Sequence, residues 1–315
     1  MRYALLLGLT ITLAFLSLSA GRSFMPPDAL WQALSAGPEG SGRMIWQLRL
    51  PRLIAGLLIG GAFGLAGMVL QSLLRNELAS PDVIGLTQCA AFGAVLAMMT
   101  GIPVFLGAWA GGLVAIALLA WLASQPGAGV ETRAVVLQGL GLAIISGALT
   151  EMLILRAGDG SAGMAMTWLT GSLNGLGWPE VRRALWLLPL MGLLFCAARR
   201  LDRLELGEDL ARALGLRVGL SRITLGLMAA LLVAGAVSLS GPLAFVALAA
   251  GPVARWCAGG RPDPFAAFLI GAGFVTFADM LSRSIAPAAL LPAGLYTALI
   301  GAPVLIFAVR RQTRR

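Results

Sequence analysis

The run between Arg52 and Arg75 constrains the fold more than any other feature: it holds 22 consecutive residues without a charge. A helix rises 1.5 Å per residue, so about 20 apolar residues cross the ~30 Å hydrocarbon core of a bilayer. Comparable windows recur along the chain, at approximately 3–20, 53–74, 84–100, 102–122, 134–155, 183–198, 222–240, 242–256, 265–284 and 293–309. Membrane barrel strands need only about 10 alternating residues, so long uninterrupted runs select helices. The predicted fold is all-α, a polytopic membrane bundle of about ten helices forming one domain over 1–315. The third and eighth windows are short or broken by Gly and Pro, which predicts tilted or half-buried spans. Residues 3–20 follow a lone Arg2 and end in "SLSAG", which could pass for a signal-peptide cleavage site. The run is longer than a usual signal core, and it is read as a retained first helix.

Composition agrees. Only 12% of residues are charged, against about 25% in soluble domains, and the mean hydropathy is +0.88. The chain has no histidine, which removes Ser-His and Cys-His dyads, histidine metal sites and histidine proton relays. All 23 cations are arginine. A phosphate-binding P-loop needs a lysine to reach the β/γ-phosphates, so any ATP-hydrolysing engine must lie on another chain. Cys89, Cys196 and Cys257 fall in or beside apolar runs without C-x-x-C spacing. They read as small packing residues, and no metal site is expected.

Arginine placement predicts orientation. With the N-terminus inside, 15 of the 23 arginines fall on the cytoplasmic side, so both termini are predicted to be cytoplasmic. The same bias accounts for most of the net charge of +9 without nucleic acid. Gly56, Gly60, Gly64 and Gly67, with Gly61 beside them, recur three or four residues apart on the second span. That spacing predicts close helix packing.

The longest polar break, about 199–222, contains "GEDLARALG". Glu208 and Asp209 suit the first turn of a helix, and Gly215 suits its stop. Leu206, Leu210 and Leu214 fall on one face, which suits docking into a partner's groove and equally a linker lying against lipid headgroups. Asp279 and Arg283 are four apart on the ninth span and can pair as a structural ion pair or serve an external dock. Glu151 lies near the outer end of the fifth span, where a proton-coupling role competes with simple hydration. At the opening of the second span, Arg49 and Arg52 flank Pro51, which is favoured in a helix's first turn. They sit on the side that positive-inside bias disfavours, so an acidic extracytoplasmic partner or lipid phosphate should offset them.

Several blocks now resemble one family. "LRLPR" (48–52), "LQSLLRNELASPDVIG" (70–85), "MTWLTGSLNGLGWPEV" (166–181), "LELGEDLARALGL" (204–216), "SGPLAFVALAAGPVAR" (240–255), "FADMLSR" (277–283) and "LPAGLYTALIGAPVLIFAVRR" (291–311) recur in family order. They are similar to the permease subunits of binding-protein-dependent ABC importers for ferric siderophores, haem and cobalamin. The resemblance spans nearly the whole chain. It implies a cobalamin-importer-type bundle of ten helices in the bacterial inner membrane, paired with a second copy or a related permease. It also implies two cytoplasmic ATPase subunits, which use ATP and Mg, and a periplasmic or lipoprotein substrate-binding protein. The chain itself would bind no cofactor and catalyse no reaction. Carried over by motif, Arg49, Arg52 and Arg283 would face acidic residues of the binding protein. Leu206, Gly207, Glu208, Leu210, Ala211, Leu214 and Gly215 would contact the ATPase.

Two positions depart from the pattern: Glu77 replaces a common proline after Asn76, and Gly251–Pro252 stands where Pro-His is common. "ASPDVIG" and "WLTGSL" look closest to the siderophore branch, with cobalamin and haem as alternatives. The competing reading is a secondary transporter coupled to protons or sodium, which needs ionisable groups inside the membrane. Only Glu151 and Asp279 stand near that depth. A membrane-embedded hydrolase lacks a histidine base.

Overall fold

A computed structural model describes residues 2–21, 24–123, 132–285 and 291–312. Among them the regular structure is helical throughout: α1 (Arg2–Ser19), α2 (Pro27–Ser35), α3 (Leu50–Leu74), α4 (Leu86–Thr100), α5 (Val104–Ala123), α6 (Thr132–Arg156), α7 (Asp159–Leu169), α8 (Trp178–Ala184), α9 (Leu188–Cys196), α10 (Ala198–Glu205), α11 (Glu208–Ala213), α12 (Val218–Ser240), α13 (Val246–Cys257), α14 (Pro264–Ser284) and α15 (Ala293–Gln312).

The centre of the bundle is α3. Its apolar window is 89% buried, whereas those of α1 and α6 are each 17% buried and face outward. A helix apolar on every side belongs inside, and glycine lets its neighbours close on it. A Cβ on Gly60 would lie 2.4 Å from the Gly271 carbonyl, and one on Gly64 2.2 Å from that of Ala267, so α14 packs backbone to backbone against this face. Gly67 does the same for α13, where a Cβ would meet the Ala247 carbonyl at 2.0 Å. Gly61 makes room for the Phe268 ring, and Gly56 makes ordinary contact with Leu173. The expected glycine stripe thus serves two neighbours at once.

Among the described residues six helices are long and apolar enough to span a membrane, and a bent pair counted as one span makes a seventh. Leu86–Thr100, Val246–Cys257 and Ala293–Ile306 are shorter apolar helices. The first two fall in the windows expected to be short. The expected single span at 183–198 is broken. It begins earlier, at Trp178, passes through a 3-10 turn at Leu185–Leu187, and bends by 48° between Cys196 and α10. Pro189 explains the tightened turn, because it cannot donate to the Leu185 carbonyl four residues back. The span expected from 242 starts at Val246, because Gly241 (φ 70°) and Phe245 (φ 65°) hold left-handed turns before it.

Among the helices that escaped the reading of apolar windows are α2 and α7. Pro27 opens α2, whose Leu30 and Ala33 bury against Leu18, Ile45 and Leu53. In α7, Ala165 packs with Val95 and Ile154. Both are too short to span and bury only one face, so a 20-residue window passes over them.

Candidate functional site

With 25 residues, α3 is about 37 Å long, and each of its ends meets a cluster of charged side chains. At the first end, a π-helical turn over Ile45–Arg49 runs directly into α3, with Pro51 in its first turn. This turn rotates Arg49 inward, leaving it 8% exposed. Its Nη1 donates to the carbonyls of Leu18 (2.6 Å) and Ser19 (3.0 Å) at the end of α1. The last carbonyls of a helix lack intrahelical donors and carry the negative pole of its dipole, so a guanidinium is well placed there. Arg283 serves the same terminus, with Nη1 3.2 Å from the Ala20 carbonyl and Nη2 3.2 Å from that of Ser17 and 2.7 Å from its Oγ.

Between these cations sits Asp279, whose side chain is 5% exposed. The expected pair with Arg283 is present, Nε to Oδ2 at 3.1 Å. A second partner comes from α3: Arg52 grips the same carboxylate through Nε (3.0 and 3.1 Å) and Nη2 (2.6 Å). Such two-pronged guanidinium–carboxylate contacts are among the strong, geometrically specific hydrogen bonds. Within this cluster three guanidiniums stand against one carboxylate, an excess of two positive charges. The structure therefore brings Arg49, Arg52 and Arg283 together, yet turns all three toward the bundle. Among the described residues, exposed cations near them include Arg43, Arg182 and Arg183, the last ion-paired with Glu180 at 3.6 Å. The latter two lie on α8, which is pinned to the entry of α3 by a Trp178 Nε1 bond to the Trp46 carbonyl, 2.9 Å.

At the other end, α10 and α11 form a protruding corner. Gly207, at φ 113°, turns the chain between them, and Gly215, at φ 78°, follows α11. These backbone angles favour glycine. Leu206, Leu210 and Leu214 are 56%, 58% and 53% exposed, while Ala211 is fully buried on the opposite side. Glu208 pairs with Arg212 at 2.8 Å and with Arg222 of α12. The corner is tied to the bundle by Arg75, whose Nη2 donates to the Leu204 carbonyl (2.9 Å), and by an Arg255–Glu205 ion pair. It is an apolar patch on a braced mount, suited to receiving another protein. Among the described residues no three Cys, Asp or Glu side chains are placed to hold a metal ion.

The model of the FecCD transport family matches residues 9–311. This chain belongs to that family. The achromobactin transport system permease protein CbrC of Dickeya dadantii is 37% identical over 319 residues, covering 98% of this chain and 90% of the relative. The Fe(3+) dicitrate transport system permease protein FecD of Escherichia coli is 36% identical over 325 residues and 99% of each chain. The vitamin B12 import system permease protein BtuC of Klebsiella pneumoniae is 35% identical over 321 residues, 98% of this chain and 94% of the relative. Among solved structures, a metal-chelate type ABC transporter in an inward-facing conformation matches with a TM-score of 0.85 at 27% identity, covering 98% of both chains.

In this FecCD chain, Glu151 lies on an exposed face of α6, and Asp279 is neutralised by two arginines. Asp279 is therefore not an isolated carboxylate. Sequence reasoning missed Gln71, Ser72, Arg75, Glu205 and Arg255, which organise the second cluster. Only the polarity of Gln71 and Ser72 at the end of an apolar span signalled them.

Proposed function

We propose that this chain is the membrane permease of an ABC importer that carries a metal chelate, with a ferric siderophore or similar iron chelate as its cargo. A periplasmic or lipoprotein binding protein delivers the chelate. Two cytoplasmic ATPase subunits, using ATP and Mg, supply the driving force, and a second permease, identical or related, completes the channel. The chain sits in the bacterial inner membrane with both termini and the α10–α11 corner in the cytoplasm. It performs no bond chemistry and binds no cofactor of its own.

The observation that carries this reading is the exposed leucine triad on a corner tied to the bundle by Arg75 and Arg255, at the opposite end of α3 from a cationic cluster. A channel moved from outside needs one surface for each partner, and α3 separates the two. Of the relatives quoted above, one is named for Fe(3+) dicitrate transport and one for vitamin B12 import. On the cationic end, Arg52 and Arg283 lie at the edge of the dock and Arg49 holds its frame. Arg43, Arg182 and Arg183 widen the field seen by an acidic partner.

The test is a pull-down of the detergent-solubilised complex followed by ATP hydrolysis assays with candidate binding proteins loaded with ferric citrate, a ferric catecholate or cobalamin. Leu210→Asp with Leu214→Asp should release the ATPase from an intact permease. Full retention of the ATPase would rule out α11 as the main contact. Stimulation by the cobalamin-loaded protein alone would overturn the iron-chelate assignment.

A further inference from the structure

The four residues after Leu248 create a local problem. Pro252 lies inside α13 and has no N–H, so the Leu248 carbonyl four residues back has lost its intrahelical donor. A side chain from α3 supplies the replacement: Gln71 Nε2 donates to that carbonyl at 3.1 Å. Gln71 is 1% exposed, and it reaches this place because Gly251 has no side chain. One turn further on, Arg255 Nη2 bonds Ser72 Oγ at 2.8 Å while ion-pairing with Glu205 at 2.5 Å. Arg75, one turn after Gln71, holds the neighbouring Leu204 carbonyl.

These contacts divide α13 in two. Its first half is clamped to α3 through the close approach of Gly67 to Ala247. Beyond the proline break, Arg255 joins the remaining turn to α3 and to the last residue of α10. Glu205 is only three residues before Glu208, where α11 begins. Helices bend where a proline interrupts their ladder. The segment after that point carries an ion pair that links α10 directly to α13.

We propose that Arg255 is the positioning residue that transmits movement of the α10–α11 corner to the half-helix beyond Pro252, with Pro252 as pivot and the Gln71 amide as its bearing. The inference rests on the reading that the ATPase engages α11. A chain of packed and ion-paired side chains carries such coupling only when the two ends move together, and this is measurable. Cys257, half-buried and two residues past Arg255, is a native reporter.

The experiment uses the full permease with its ATPase in lipid nanodiscs, with Cys89 and Cys196 replaced by serine. It compares the maleimide labelling rate of Cys257 without nucleotide and with ATP plus vanadate. The unmutated arginine gives a several-fold change in rate. Arg255→Gln and the milder Glu205→Gln both reduce that ratio to unity while the ATPase stays bound. The exchange Glu205→Arg with Arg255→Glu restores it, which a merely structural role would not predict. Undiminished nucleotide response in both single variants, or no response in the parent complex, overturns the inference while leaving the docking reading intact. Failure of the ATPase to co-purify with the parent chain removes the docking reading and this inference together. Glu205→Gln keeps the test decisive if the buried Arg255→Gln change impairs folding, because Glu205 lies at the more exposed end of the pair.

Discussion

Replacing Gly251 by alanine should destabilise this permease through one identifiable side chain. A Cβ at that position would lie 1.8 Å from Gln71 Oε1, 2.7 Å from its Cδ and 3.2 Å from its Nε2. The overlap is with the far end of a side chain, so the Gln71 amide must swing away from its site. The Leu248 carbonyl then loses its replacement donor, and a buried acceptor left unmade costs about 1–3 kcal/mol. The displaced amide, held in a packed interior, costs about another 1–3 kcal/mol if it finds no new partner. Alanine's better helix propensity returns roughly 0.5–1 kcal/mol. The net expectation is a loss of about 1–5 kcal/mol.

The decisive measurement is a double-mutant cycle. Gln71→Ala alone removes the donor and leaves a small void, costing about 1–3 kcal/mol. In that background the three atoms nearest a methyl group at position 251 are gone, so Gly251→Ala should be neutral or slightly stabilising. The cycle therefore predicts a coupling of at least ~1 kcal/mol, with the double variant more stable than the sum of the singles implies. Unfolding in mixed micelles with increasing SDS, followed by fluorescence of the eight tryptophans, would supply all four corners. Additive behaviour would refute the argument, as would a neutral Gly251→Ala in the presence of Gln71.

Other substitutions test the two ends separately. Asp279→Asn leaves Arg52 and Arg283 without their carboxylate; losing one partner of a buried pair costs about 3–5 kcal/mol, and the partial exposure of both arginines places the expected loss near the lower figure, read by the same unfolding assay. Arg182→Glu with Arg183→Glu should weaken binding-protein affinity by about 0.2–1 kcal/mol per charge and flatten its salt dependence in titrations at several ionic strengths. Arg49→Glu should instead lower stability, because it removes the donor from the end of α1 and buries an anion among carbonyls. Gly64→Ala should loosen α3 from α14, costing about 1–3 kcal/mol, with a matching fall in the amount of monodisperse protein on size-exclusion chromatography.

The long spans were legible because a bilayer imposes one demand on every crossing segment, and an uncharged run states it openly. Breaks within spans were less legible. At 183–198 the hydropathy is continuous, but Pro189 removes one N–H and forces a 3-10 turn that an average over the window conceals. The corner at Glu208–Ala213 could be read to within a residue, since its signals are local: acids in the first turn, leucines four apart and a glycine stop. Asp279 shows the limit of such reasoning. The four-residue spacing correctly offered Arg283 as a partner, whereas Arg52 lies 227 residues away in sequence. Only the packing of α14 on the glycine face of α3 reveals it. Likewise, Arg49 could be recognised as an outlying cation, but the carbonyls it caps belong to another helix.

That packing also bears on how the molecule can move. Gly60 and Gly64 bring the backbones of α3 and α14 into direct contact, and the Arg52–Asp279 clasp closes the same pair at one end. Sliding these two helices would break a close backbone fit and strain a two-pronged ion pair together. Packed interfaces of this kind resist small continuous deformation and favour movement as a unit. The helix tied to α3 at its other end differs in kind: α13 is clamped at Ala247, interrupted at Pro252 and joined onward through the Arg255 side chain. Side-chain bonds can reorient without disturbing a backbone interface. The arrangement therefore assigns stiffness to α3–α14, spanning the distance between the two candidate docks, and mobility to the short segment beside the α10–α11 corner.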